Sequence, residues 1–258
     1  MGGNVLHLFG EPMHDIALTG IYFFAIALLY STVGHAGASG YLATMALLSF
    51  PPEVMKPTAL ALNIIVALVT TIRFAKAGYF SWRLFWPFAL ASVPMAYFGG
   101  GMHVDATIYK ILVGIALVFA AFHLILRSRV APDDPGRTTS PGIGASLAVG
   151  GGLGFLSGLT GVGGGIFLSP VLIILHWAGL RRTAAVAAAF ILLNSISGLA
   201  GYIQKGGAFP DHIFFWSVAV LSGGFIGSSL GATKFNSPVL RVLLGIMLVM
   251  AGLKMAVI

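Results

Sequence analysis

Residues 154–170 read GFLSGLTGVGGGIFLSP, a glycine-rich junction between two apolar segments. Glycine, serine and threonine are interspersed here with large apolar residues, and no charged residue interrupts the stretch. A helix that begins at such a junction inside lipid leaves its first N–H groups free, and glycine lets a ligand approach them. The stretch therefore predicts a broken helix pair inside a membrane.

The whole chain has the composition of a membrane protein. Of its 258 residues, 58% are hydrophobic and 8% are charged, whereas about a quarter of an ordinary soluble domain is charged. These polar residues are too few to cover a soluble surface, so lipid is the expected solvent. Apolar segments of membrane-spanning length recur without the alternation typical of barrel strands, which predicts an all-α, polytopic membrane protein.

A polar connection, RSRVAPDDPGRTTSP at Arg127–Pro141, divides the apolar segments into five and five. We predict a first membrane repeat over residues 1–127, a cytoplasmic linker over 128–141 and a second, inverted repeat over 142–258. The second and seventh segments are short, since roughly 14 residues reach only about 21 Å, less than the roughly 30 Å core of a bilayer. Eight to ten transmembrane helices are expected, with re-entrant hairpins as the alternative for the short segments. The segments are 16–33, 37–50, 57–76, 84–101, 106–126, 143–160, 163–178, 183–203, 212–232 and 238–257.

The two halves share a sequence pattern. A glycine, an aromatic residue and a leucine recur 126 positions apart in segments two and seven, as Gly37, Tyr41 and Leu42 and then Gly163, Phe167 and Leu168. Further along, Gly100 and Gly231 match at a spacing of 131. The same order with a small drift in spacing indicates an ancient duplication.

The basic residues predict the orientation of the two halves. If each segment reverses the side of the chain, ten of the 14 Lys and Arg residues, including Arg73 and Arg181, fall on one face, and that face is predicted to be cytoplasmic. Five reversals per half then invert the second half relative to the first, which is typical of transporters. Because these residues are scattered singly or in pairs, they do not indicate nucleic-acid binding.

The glycine openings of segments two and seven are predicted to face each other near mid-membrane and to form an anion site. Nearby hydroxyl and amide groups can donate to an anion without the desolvation cost of a buried cation. The structural alternatives stay open, because glycine also allows tight helix crossing and polar residues also join helices. The predicted substrate-binding residues are Ser31, His35, Gly37, Ser39, Gly40, Asn63, Ser157, Thr160, Gly163, Gly164, Gly165, Asn194 and Ser197.

Three further readings follow from single motifs. His35 lies next to a glycine opening, and because histidine as a residue type titrates near neutrality, it is a candidate proton carrier as well as a candidate structural residue. The residues Gly37-Ala38-Ser39-Gly40 fit the pattern around the nucleophile of a rhomboid-like intramembrane serine protease, with Ser39 as nucleophile. A channel is a third reading, although helix breaks in inverted halves favour alternating access.

At these residues the chain resembles the TauE/SafE family of sulfite exporter-like permeases. The stretch Gly154–Pro170 is similar to the family's most recognisable signature, and AAVAAAFILLNSISGLAGYIQKGG at Ala184–Gly207 is similar to a second one. The resemblance implies transport of small sulfur-containing or carboxylate anions, such as sulfite or sulfonates, coupled to the proton gradient. The first half departs from the glycine-rich pattern, with His35 and Ser39 where the second half has Gly161 and Gly165.

We therefore predict a secondary transporter, not an enzyme, in the bacterial inner membrane. Its expected partners are a small anionic solute and membrane lipid, with no nucleic acid, and a homo-oligomer is compatible with the sequence. No cofactor or metal is predicted.

Overall fold

The chain folds into helices. A computed structural model describes residues 13–32, 34–127, 139, 141–209, 212–233, 246, 248–250 and 252–254. These residues contain no strand, which confirms the all-helical prediction. Most of the tenth predicted segment, 238–257, lies outside them. The helices are α1 Met13–Ser31, α2 Ala38–Leu47, α3 Pro52–Lys76, α4 Trp82–Gly101, α5 Ala106–Arg127, α6 Ile143–Thr160, α7 Gly165–Ile174, α8 Leu180–Gln204 and α9 Ile213–Thr233.

Two of these helices, α2 and α7, are half-helices. Each has ten residues, whereas α3 and α8 have 25 residues each. The short pair therefore reaches about 15 Å and the long pair about 37 Å, against a hydrocarbon core of about 30 Å. Consequently α2 and α7 are too short to cross a bilayer, as the lengths of the second and seventh segments indicated.

Local sequence explains where α2 ends. Ser49 takes a left-handed backbone conformation with φ 62° just after the helix, and a proline pair, Pro51–Pro52, follows it. A helix cannot continue through two residues that lack an N–H group, whereas Pro52 is well suited to the first position of α3. The end of α7 has a similar left-handed residue, His176 with φ 56°.

The long helices α3 and α8 pack against each other in the middle of the helix bundle. Helix α4 packs on α6 and α8, α9 packs on α1 and α3, and the half-helices α2 and α7 pack on α3 and α8 respectively. In the predicted repeat, α1 corresponds to α6, α2 to α7, α3 to α8 and α4 to α9. When each helix is exchanged for its counterpart, this set of contacts stays the same. The set agrees with the twofold relation predicted between the halves, while the duplication and its inverted orientation stay predictions.

Glycines allow α6 to approach α4 closely. A Cβ atom at Gly150, Gly154 or Gly158 would run into the backbone of α4, at Phe88, Ser92 and Ala96 respectively. The three glycines are four residues apart and therefore lie on one face of the helix. Tight helix crossing therefore accounts for these three glycines of α6, which precede the opening of α7.

The outer surface is apolar. Phe214 is 75% exposed and Phe215 is 69% exposed, both on α9. In the part of the chain that is described, four helices are long and apolar enough to cross a membrane, namely α3, α6, α8 and residues 213–230 of α9. A surface of this kind is stable against lipid rather than water, which supports the membrane assignment.

Candidate functional site

Two glycine loops precede the half-helices. Gly34 and Gly37 have φ of 82° and 101° before α2, and Gly161 and Gly164 have φ of 83° and 76° before α7. Side-chain-bearing residues rarely adopt this left-handed region, so glycine is required at these turns. The structure thus pairs Gly37 with Gly164, one residue beyond Gly163, which was its counterpart at the predicted spacing of 126.

The loop of the first half contacts the half-helix of the second half. Nε2 of His35, between Gly34 and Gly37, is 3.2 Å from Oγ of Ser169 on α7. Ser169 also donates a hydrogen bond of 2.9 Å to the carbonyl oxygen of Gly165, the first residue of α7. His35 therefore connects the opening of the first half to the first turns of the half-helix in the second.

The loop before α7 lies beside the middle of the two longest helices. A Cβ atom at Gly163 would lie 2.7 Å from Nδ2 of Asn63 and 3.3 Å from Oγ of Ser195. Asn63 is near the middle of α3, and Ser195 lies just past the middle of α8. Helix α7 therefore begins about halfway along the long helices and not at their ends.

Four buried polar side chains on the helices around this loop have no hydrogen-bond partner in the described part of the chain. Three of them lie next to Gly163 or Gly164, and the fourth, Asn194, precedes Ser195 on α8. Both side-chain polar atoms of Asn63 and Asn194, and the Oγ atoms of Ser157 and Ser195, find no hydrogen-bond partner among the described residues. All four residues are fully buried, and a Cβ atom at Gly164 would lie 3.2 Å from Cβ of Ser157. Each unsatisfied group costs about 1–3 kcal/mol, so such a cluster needs an explanation beyond packing.

Other predicted site residues have hydroxyl groups that already donate within the protein. Ser31 donates to the carbonyl oxygen of Ala27 at 2.5 Å, and Thr160 donates to that of Leu156 at 2.7 Å. Ser197 donates across helices to the carbonyl oxygen of Val93 at 2.5 Å. These bonds hold helices in shape or together, and contact between these residues and an anion stays a prediction.

If Ser39 were the nucleophile of a protease, its hydroxyl group would need a general base as its hydrogen-bond partner. The Ser39 hydroxyl donates to the phenol oxygen of Tyr30 at 3.1 Å, and both residues are buried. A serine nucleophile needs a general base in that place, normally a histidine. The hydrogen bond of Ser39 is therefore that of a packed core residue.

The first opening is filled by its own side chains. A Cβ atom at Gly37 would lie 3.0 Å from the ring of Tyr41, and Gly40 lies against Ile26. The Tyr41 hydroxyl closes this arrangement by donating to the carbonyl oxygen of Ala36 at 2.9 Å. Aromatic rings thus lie against both openings, Tyr41 at the first and Phe190 at the second, and the unpartnered groups of Asn63, Ser157 and Ser195 lie beside the second.

Ser195 is a candidate that the sequence reasoning did not select. Helical spacing provides the signal for it, because Ser195 is four residues after Ile191 and shares its face of α8. That face meets the loop, since Cβ atoms at Gly163 and Gly165 would both run into Ile191. Ser197, the residue selected instead, points to α4 through its bond with Val93.

Comparisons with known proteins agree on a family. The family model described as "Sulfite exporter TauE/SafE" matches residues 19–255. A protein of Sinorhizobium fredii named "Probable membrane transporter protein y4hK" is 40% identical over 239 residues, which cover 91% of this chain and 96% of the relative. A "Probable membrane transporter protein" of Methanocaldococcus jannaschii is 28% identical over 210 residues, covering 77% of each chain. No solved structure matches the chain.

Proposed function

Because the chain belongs to the sulfite exporter TauE/SafE family of membrane transporters, we propose that it is a secondary permease for small anions. The proposed substrates are sulfite, organosulfonates and sulfur-containing carboxylates, carried across the inner membrane by a multi-pass protein. The chain is a membrane transporter and not an enzyme. The observation that supports an anion site is the cluster of unpartnered amide and hydroxyl groups at the opening of α7.

The chemistry of this cluster suits an anion. The amide groups of Asn63 and Asn194 and the hydroxyl groups of Ser157 and Ser195 can all donate hydrogen bonds. The first N–H groups of α7 have no acceptor within the helix, and they carry the positive end of its dipole. An oxyanion bound here would therefore be stabilised by dipoles in a low dielectric, and no cation would have to be desolvated.

The contact between the halves suggests how transport is driven. The contact between His35 and Ser169 joins the first loop to α7, and histidine side chains in general exchange a proton near neutral pH. Protonation of His35 would change the donors at this contact and so favour a different arrangement of the half-helices. Coupling to the proton gradient is therefore part of the proposal.

Uptake into proteoliposomes tests the substrate and the coupling. The purified protein is reconstituted and offered labelled sulfite and a panel of sulfonates, with and without an imposed proton gradient. We expect saturable transport of at least one of these anions and faster transport with the gradient. If none of them moves, the anion proposal is wrong. If they move at a rate independent of the gradient, only the proton coupling is wrong.

Substitution at Gly164 tests the position of the site. Gly164→Ala adds backbone strain and also places a Cβ atom 2.8 Å from the ring of Phe190, whereas Gly206 has a similar φ of 85° and no atom within 4 Å. Overpacking costs about 1–3 kcal/mol, so we expect Gly164→Ala to lower the initial uptake rate by about tenfold or more. Gly206→Ala is the matched control for backbone strain. Equal uptake by Gly164→Ala and Gly206→Ala would show that the anion site does not lie at this loop.

A further inference from the structure

A cavity of about 320 Å³ lies where α4, α6 and α8 begin. The first half contributes Arg83 and Trp86, the second half contributes Trp177 and Arg182, and Thr139 belongs to the connection between them. All three helices start on the face that the basic residues predict to be cytoplasmic. The cavity is therefore a meeting point of both halves at one boundary of the helix bundle.

The two arginines of this cavity lack a partner within the described part of the chain. Neither Arg83 nor Arg182 has a hydrogen bond, ion pair or aromatic contact with the described residues. The neighbouring Arg181, by contrast, donates to the hydroxyl group of Tyr79 and lies 5.2 Å from the centre of its ring. No acidic residue is present among the described residues that line the cavity. The described lining of the cavity thus has two arginines and no carboxylate that could pair with them.

The other residues that line the cavity also favour a bound anion. Ser81 and Thr139 add hydroxyl donors. The residues that precede α4, α6 and α8, namely Ser81, Gly142 and Gly179, form no side-chain cap hydrogen bond. Guanidinium groups bind tetrahedral oxyanions through paired N–H donors. The indoles of Trp86 and Trp177 are only partly buried and add an apolar wall, a combination typical of the membrane interface.

An apolar layer separates this cavity from the opening of α7. Phe88, Leu168, Leu172 and Phe190 belong to one buried cluster that also contacts Trp177. The ring of Phe190 forms the end of this layer nearest to Gly164. The arginine cavity and the proposed anion site are therefore different places.

We propose that the arginine cavity binds a tetrahedral oxyanion, a phosphate or sulfonate group, with an apolar portion against the two indoles. The group comes either from the headgroup of an anionic phospholipid or from a soluble oxyanion. Bound there, it bridges Arg83 of the first half and Arg182 of the second and stabilises their arrangement. Because binding is measured without transport, this inference does not depend on the proposed function.

The experiment compares neighbouring arginines in the purified full-length chain. Nanodiscs of phosphatidylcholine with increasing phosphatidylglycerol provide the lipid probe, and inorganic phosphate and methanesulfonate in pure phosphatidylcholine provide the soluble probes. Bound phosphatidylglycerol is counted by native mass spectrometry, and the melting temperature is followed for every probe. The variants are Arg83→Gln, Arg182→Gln and Arg182→Lys, with Arg181→Gln as the control of equal charge change.

We expect Arg83→Gln and Arg182→Gln each to weaken binding by about tenfold or more, since each removes a charge-assisted pair of hydrogen bonds. Arg182→Lys should retain part of the binding, and Arg181→Gln should bind as the wild type does. If these two variants lose only the binding of phosphatidylglycerol, the site belongs to a lipid headgroup. If they lose the binding of the soluble probes, the site belongs to a soluble oxyanion. Equal loss in Arg181→Gln and Arg182→Gln, or saturation by none of the probes, overturns the proposal.

Discussion

Buried amides are the most informative single residues in this protein. Asn63 and Asn194 are both fully buried, yet the described part of the chain offers their side-chain atoms no hydrogen bond. Evolution of a stable bundle alone would favour leucine at such places, because an unsatisfied buried amide costs free energy. The cost is understandable if these groups serve a ligand that carries its own hydrogen-bonding atoms.

The substitution Asn63→Leu should change the stability of the protein and its anion uptake in opposite directions. Leucine has nearly the shape of asparagine and no unsatisfied atoms, so we expect the free energy of unfolding to rise by about 1–3 kcal/mol. Anion uptake should fall by about tenfold or more, because a donor at the opening of α7 is lost. Thermal unfolding in detergent and uptake into proteoliposomes provide the two measurements.

Ser197→Ala is the matched control for this substitution. Its hydroxyl group donates to the carbonyl oxygen of Val93, so its removal should lower the free energy of unfolding by about 1 kcal/mol. Opposite signs for the two variants distinguish an unpartnered group from a bonded one. A loss of stability in Asn63→Leu would show that Asn63 has a structural role, contrary to the proposal.

At the scale of elements, two kinds of glycine carry out two different tasks. The loop glycines Gly34, Gly37, Gly161 and Gly164 permit left-handed turns at the start of the half-helices. The glycines of α6 permit close approach to α4 instead, and their conformation is that of an ordinary helix. The sequence placed Gly37 and Gly164 at the openings but did not distinguish the glycines of α6 by their task.

Gly158→Ala tests the close approach of α6 and α4. A Cβ atom at Gly158 would run into the carbonyl oxygen of Ala96 and lie 2.7 Å from the backbone nitrogen of Gly100. We expect a loss of about 1–3 kcal/mol in unfolding free energy, since the helices have to separate. Thermal unfolding in detergent provides the measurement.

Gly152→Ala on the same helix is the control. Gly152 is exposed and has no atom within 4 Å of a Cβ position, so alanine should be neutral or stabilise the helix by up to about 1 kcal/mol. If both variants lose the same stability, helix crossing is not the reason for the glycines of α6.

For the whole molecule, inversion of the halves predicts on which side of the membrane corresponding residues lie. Lys76 ends α3 and Lys205 follows the end of α8, so they occupy similar places in the two halves. If the second half is inverted, these residues lie on opposite sides of the membrane, with Lys76 in the cytoplasm. Both are exposed, and the chain has no cysteine, which allows single-cysteine labelling.

Lys205→Cys should react with a membrane-impermeant thiol reagent in intact cells, whereas Lys76→Cys should react only after the cells are broken. Reaction of both variants in intact cells, or of Lys76→Cys alone, would contradict the inverted arrangement. The unsubstituted chain provides the background, since it offers no thiol.

Much of the fold could be predicted from the sequence because it depends on local properties. Segment boundaries follow from apolar runs between proline, glycine and charge, and the predicted segment 183–203 corresponds to α8 at Leu180–Gln204. The bounds of a short segment were also nearly right, since the predicted segment 37–50 contains α2 at Ala38–Leu47. The polar residues of the candidate site were chosen as a group, but their individual roles depend on neighbours from distant parts of the chain.

The sequence by itself determined that this chain is a helical membrane protein with a glycine loop before each of two short helices. Apolar runs and glycines act within a few residues, so they can be recognised without a fold. Only the tertiary structure decided that Tyr41 fills the first opening, that Val93 accepts the bond of Ser197, and that Ser195 faces Gly163. The last two contacts join distant residues on different elements, and even the place of Tyr41 depends on how α2 packs. A hydrogen-bonding side chain becomes available to a ligand only when that packing leaves it without a partner.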